Sequence, residues 1–249
     1  MGILVALISS ALCALFYVRM VRRETPEPMP KKKATTPVVL GLFAPILSTL
    51  LTLGIGFAVK GLTGGRSLSD LIGNLVASSL VRSLLTAGLT EELVKFLLFL
   101  LLVKRLNPKN VYEYAVLVGG IGFGFTVLEE ITYGGGSPIA ALLRLPGFAM
   151  HMVLGLIMGL FLGLARYRKQ RGESGGRETC FALLLPILWH TVYDASTAFN
   201  AALSAEDEYV QFKGGLVGLV LVAVTTVLQF VVLIKFRKDT GKYCAMELQ

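Results

Sequence analysis

Residues Val111–Tyr133 read VYEYAVLVGGIGFGFTVLEEITY, and this stretch decides the fold. As a helix rising 1.5 Å per residue it extends about 35 Å, enough to cross the ~30 Å hydrocarbon core of a bilayer. Only helices and closed barrels satisfy their backbone in lipid, and the run lacks the strict alternation of a barrel strand. Comparable apolar runs flank it on both sides, at 2–18, 37–59, 71–103, 146–165, 181–199 and 214–234. The whole chain of 249 residues is 54% hydrophobic and only 16% charged, with a mean hydropathy of +0.70. Soluble domains carry about 25% charged residues, so a soluble enzyme and a disordered chain are both excluded. The expectation is an all-α polytopic membrane protein of about seven transmembrane helices, folded as one transmembrane domain over 1–249. The segment 71–103 is too long for one simple crossing, because at 1.5 Å per residue it would reach ~50 Å. A break near Gly88 is expected there.

The formal net charge of +8 follows topology rather than nucleic-acid binding. Basic residues collect on the cytoplasmic side of membrane proteins. Segments 19–36, 104–110, 166–179 and 235–249 hold 18 of the 24 Lys and Arg, whereas the intervening loops hold Lys60, Arg66, Arg144 and Lys213. That asymmetry predicts a multi-pass protein of the cell membrane with its N-terminus outside and its C-terminus cytoplasmic. The first apolar run has its arginines after it rather than before it, so it reads as a retained span and not a secretory signal. The proline-bearing segment 19–37 reads as a linker. Cys13, Cys180 and Cys244 have neither disulfide nor zinc spacing.

Ionisable side chains inside spans cost several kcal/mol each and mark function or structural pairing. Glu91, Glu92 and Lys95 sit in the run Thr90-Glu-Glu-Leu-Val-Lys95; Glu129 and Glu130 close the span quoted above; His151, His190 and Asp194 follow in the next two spans. These are the only two histidines of the chain. Lys95 is placed to reach either glutamate one turn away, and Asp194 lies one turn beyond His190, where it can accept an imidazole N–H. Counted along their helices, these groups fall in the central to outer half of the bilayer. The glycines Gly119, Gly120, Gly122, Gly124, Gly155, Gly159 and Gly163 read as sites of close helix packing.

Glu91-Glu92-x-x-Lys95, Phe125-x-x-x-Glu129, His151 in the next span and His190-x-x-x-Asp194 resemble, in order and helix placement, the PrsW-type intramembrane proteases. These are related to the membrane-embedded CAAX-processing and bacteriocin-processing endopeptidases. The resemblance covers residues 85–200, the expected catalytic bundle. It implies hydrolysis of a membrane-anchored protein substrate near the outer half of the bilayer, such as the first cut in an anti-sigma-factor-like regulator. The implied catalytic residues are Glu91, Glu92, Glu129, His151, His190 and Asp194, supported by Lys95 and Phe125. Two mechanisms fit. In one, Glu129, His151 and His190 hold a zinc ion and Glu91 or Glu92 is the base. In the other no metal takes part, and a buried glutamate activates water with imidazole help.

Two other classes remain compatible with intramembrane Glu, His and Asp. One is an ion-coupled transporter or proton relay, although no internal repeat is visible. The other is a non-catalytic scaffold whose charges only pair helices. The lipid bilayer is a partner under every reading, nucleic acid under none, and the oligomeric state is left open.

Overall fold

The computed structural model describes residues 2–66, 71–136, 144–198 and 208–248. These form helices α1 (Gly2–Val21), α2 (Lys31–Gly41), α3 (Ala44–Leu62), α4 (Leu75–Ser83), α5 (Leu89–Leu106), α6 (Val111–Gly136), α7 (Met150–Gln170), α8 (Gly176–Ala198), α9 (Glu208–Lys238) and α10 (Thr240–Cys244). There is no strand among the described residues, so the all-α expectation holds. Among the described residues, five stretches are long and apolar enough to cross a membrane: Gly2–Val21, Lys31–Leu62, Val111–Gly135, Leu145–Gln170 and Gly215–Lys238. Helices α5 and α8, expected as further spans, have the length, but their polar side chains take them out of that set.

Helices α6 and α7 form the centre, with 78% of their apolar windows buried against 33%, 17% and 22% for the other three. Apolar association has no driving force against lipid tails, so tight packing must hold such a centre together. The glycines provide it. A Cβ at Gly155 would stand 2.5 Å from Val118 O and one at Gly159 2.4 Å from Tyr114 O, so both mark backbone-to-backbone approach of α7 to α6. The outer helices instead present Phe57, Leu101, Leu219 and similar side chains outward, as a lipid-facing surface requires.

Two local features have physical causes. The break expected near Gly88 takes the form of a π turn, Leu84–Gly88, through which α4 passes into α5 without the helix ending. There α8 presses in so closely that a Cβ on Gly88 would lie 2.2 Å from Thr191 Oγ1 and 2.8 Å from Ile187 O. The 19–37 linker is shorter than expected, because α2 already starts at Lys31 and carries Pro37 inside it. Lys33 anchors that early turn: its ammonium pairs with Glu113 and donates to Asn107 O at 2.9 Å.

The four basic segments meet at one end of the bundle. Asn110 donates to Glu24 (3.0 Å), Gln170 to Glu247 O (2.7 Å) and the Val111 amide to Met246 O (3.1 Å). Burial and the neighbouring Glu113 carboxyl push Glu24 in this cluster up to about 7.

A carboxylate–imidazole cluster as candidate active site

Toward the other end, four helices deliver ionisable side chains to one place. Glu91, Glu92 and Lys95 come from the first turns of α5, Glu129 and Glu130 from α6, His151 from the start of α7, and His190 and Asp194 from α8. Lys95 and Glu92 form the floor, both without exposed side-chain surface. The Lys95 ammonium donates to Glu92 Oε1 at 2.7 Å and to His151 Nδ1 at 3.0 Å, and it lies 4.4 Å from the centre of the Phe125 ring. The intrahelical pair foreseen for Lys95 therefore forms with Glu92, and the same ammonium reaches across to α7.

Each imidazole is held from behind by a carboxylate. An ammonium can only donate, so His151 Nδ1 accepts and its Nε2–H donates to Glu129 Oε2 at 2.6 Å. His190 donates from Nδ1 to Glu92 Oε1 at 2.8 Å. Asp194 is a more distant partner, with Oδ1 3.7 Å from His190 Nε2. The two rings meet edge to face with centroids 5.0 Å apart, and Phe125 packs on His151 at 4.6 Å. Such carboxylate backing fixes the tautomer and ring orientation of a histidine that uses its other nitrogen for chemistry.

Those other nitrogens converge on Glu91. Its Oε2 lies 3.6 Å from His190 Nε2 and 3.9 Å from His151 Nδ1. This oxygen is buried and has no hydrogen-bond partner among the described residues. One ligand atom each from Glu91, His151 and His190 lies within 4.8 Å of the others. Two imidazoles and a carboxylate make a known catalytic zinc set, so these donor types fit a divalent metal once the Lys95 ammonium releases His151 Nδ1. The carboxylate of this trio is Glu91, whereas Glu129 stands behind His151. The cluster opens on one side, where Glu91, Glu129 and Asp194 keep 14%, 15% and 30% of their side-chain surface.

Arg144, counted in the sequence only as a loop cation, lies at the edge of this open side. Its guanidinium donates from Nη2 to Glu129 Oε2 at 2.6 Å and from Nε to Glu130 Oε1 at 3.3 Å, and it covers the Tyr133 ring at 4.2 Å. The paired glutamates of α6 required a cation, and the nearest basic residue in the following loop was the available signal. Gly122 sets the depth of His151, since a Cβ there would lie 2.0 Å from His151 O.

Residues 38–233 match the family described as "PrsW family intramembrane metalloprotease". The chain belongs to the PrsW family. Similar PrsW relatives, each named Protease PrsW, include one from Bacillus subtilis, 30% identical over 49% of this chain and 56% of its own length. Another, from Oceanobacillus iheyensis, is 26% identical over 78% of this chain and 82% of its own length. A third, from Geobacillus kaustophilus, is 30% identical over 48% and 53% respectively. The chain thus spans just over half the length of the Bacillus and Geobacillus relatives. No solved structure matches the chain. Every residue of the cluster lies inside the stretch matched to the PrsW family.

Proposed function

We propose that the protein is an intramembrane endopeptidase that cuts membrane-anchored protein substrates in the outer half of the bilayer. The observation that carries the reading is the convergence of ligand atoms from Glu91, His151 and His190 within 4.8 Å, with both imidazoles buried. Membership of the PrsW family supports it. Seven crossings with the N-terminus outside and the C-terminus cytoplasmic put the basic end of the bundle inside and the chamber toward the outer face. The catalytic bundle is 85–200 within one transmembrane domain, and the substrate class is a single-span regulator such as an anti-sigma factor.

Peptide hydrolysis needs an activated water, stabilisation of the developing oxyanion and a proton for the leaving amine. Glu91, His151 and His190 would hold a divalent metal, which when bound acidifies water and polarises the scissile carbonyl. The chain's own groups prepare this chemistry. Glu92 and Glu129 hold the outer nitrogens of the two rings and keep their inner nitrogens aimed at Glu91. Lys95 neutralises Glu92, and Arg144 does the same for Glu129. Asp194, at the open side, is placed to take a proton from the attacking water and return it to the departing amine. Phe125 shields the Lys95–His151 contact from lipid and water.

A metal-free variant of this mechanism rests on one specific observation, the 3.0 Å contact of Lys95 with the inner nitrogen of His151. In that variant Glu91 Oε2, which has no hydrogen-bond partner among the described residues, is the base for water. Purified Glu91→Gln, Glu92→Gln and His190→Ala proteins should stay folded in detergent and fail to cut a single-span substrate. Full cleavage by all three refutes the protease reading. Elemental analysis of the same preparations separates the variants. Zinc in the wild type that is lost from His190→Ala supports the metal site, and full activity after chelator treatment overturns it.

A further inference from the structure

Away from the chamber, at the basic end, α1 and α9 stand apart around a groove of about 470 Å³. Phe148 bridges the two helices at the inner end of the groove, its ring 5.6 Å from Phe16 and 6.2 Å from Phe230. Beyond that bridge the walls are Phe230, Leu233 and Ile234 on one side and Phe16 and Met20 on the other. The mouth is lined by Arg19 and Arg23 from α1 and its following turn and by Arg237 from the last turn of α9. None of these three guanidinium groups forms an ion pair among the described residues, although other arginines of this end, Arg168, Arg171 and Arg177, all do. Helix geometry sets the depth: Arg237 is seven residues, about 10 Å, beyond Phe230, and Arg19 is about 5 Å beyond Phe16. An apolar slot therefore runs inward for about two helical turns along α9 and just under one along α1, from three arginines that form no ion pair among the described residues.

We propose that this groove is a binding site for one anionic phospholipid. The headgroup phosphate is held by Arg19, Arg23 and Arg237, and an acyl chain lies between α1 and α9 against Phe16, Phe230 and Leu233. Arginine suits the role because its planar fork matches phosphate oxygens, and basic pockets between helices at a membrane surface take such headgroups. Scattered arginines at helix ends that merely reach for the interface would not need an apolar slot behind them. The site is separate from the catalytic chamber and stands whether or not the chamber hydrolyses peptides. Its lipid joins two helices that otherwise meet through Phe148.

The test uses the full chain in vesicles of phosphatidylcholine, with or without phosphatidylglycerol, followed by detergent extraction and native mass spectrometry of the lipid retained. The wild type should keep phosphatidylglycerol in preference to phosphatidylcholine. The R19Q/R23Q/R237Q variant should lose roughly 100-fold in that affinity, at about fivefold per cation removed. The K104Q/R105Q/K169Q variant removes as much charge from the same end and should bind like the wild type. Ile234→Trp, which fills the slot and keeps the arginines, should also lose the lipid. Equal loss in both triple variants would show a diffuse surface attraction and overturn the proposal. Displacement of the lipid by glycerol phosphate at similar concentration, or unchanged binding in Ile234→Trp, would show a phosphate site without a lipid and overturn it as well.

Discussion

Gly122→Ala tests whether the approach of α6 to α7 positions the imidazole. The new Cβ would stand 2.0 Å from His151 O, 2.6 Å from its carbonyl carbon and 2.9 Å from Met152 N, where ordinary contact begins at 3.4 Å. All three atoms are backbone, so no side chain can swing away and α7 must retreat by about 1.4 Å at the level of His151. A move of that size carries His151 Nε2 out of its 2.6 Å bond to Glu129 and widens the gap to Glu91. Overpacking of this kind costs about 1–3 kcal/mol, which lowers the melting temperature without preventing folding. Misplacing a catalytic group by about 1 Å costs around 100-fold in rate. The expected result is a folded protein that cuts a single-span reporter about 100-fold more slowly. Gly135→Ala, where the new Cβ meets nothing within 4 Å, should keep full activity. Cleavage by Gly122→Ala at the rate of the Gly135→Ala control would refute the reasoning.

The buried pair and the basic-end cluster make two further predictions. Lys95→Met leaves Glu92 fully buried without a cation and should cost about 3–5 kcal/mol, read as a drop in thermal stability in detergent; the double variant Glu92→Gln/Lys95→Met should recover most of it. A Lys95→Met protein that melts like the wild type would show that Glu92 does not depend on this ammonium. Glu24 keeps its proton in the folded state up to about 7, against 4.5 for the free carboxyl, because of burial and the facing Glu113. Folding then binds a proton between those values, so the stabilising contribution is present in full below pH 4.5 and is lost as pH rises to about 7. Glu24→Gln should flatten that slope in melts taken across the range, and a slope unchanged by the substitution would place its origin elsewhere.

The helical membrane fold was readable because lipid imposes a simple requirement, long apolar runs, and the chain meets it openly in α1, α6, α7 and α9. The ingredients of the cluster were readable for the converse reason: a Glu, His or Asp inside such a run stands out against its neighbours. Assignment within the cluster was not readable. Helix spacing puts only Asp194 within reach of His190, one turn away, and it is the packing of α5 against α8 that brings Glu92 to 2.8 Å while Asp194 stays at 3.7 Å. Arg144 escaped notice because its role depends on the chain folding back over Glu129 and Glu130 after α6. The early start of α2 was hidden by Pro37, since proline usually ends a helical run and here the Lys33 anchor to Glu113 outweighs it.

Around the chamber, the carboxyl groups of Glu91, Glu92, Glu129, Glu130 and Asp194 outnumber the two permanent cations, Lys95 and Arg144. Under the protease reading, a polypeptide approaching the imidazoles passes the Arg144 guanidinium and the partly exposed carboxyls of Glu129 and Asp194. Charges flanking the cut should therefore change the cleavage rate, and added salt should weaken that dependence.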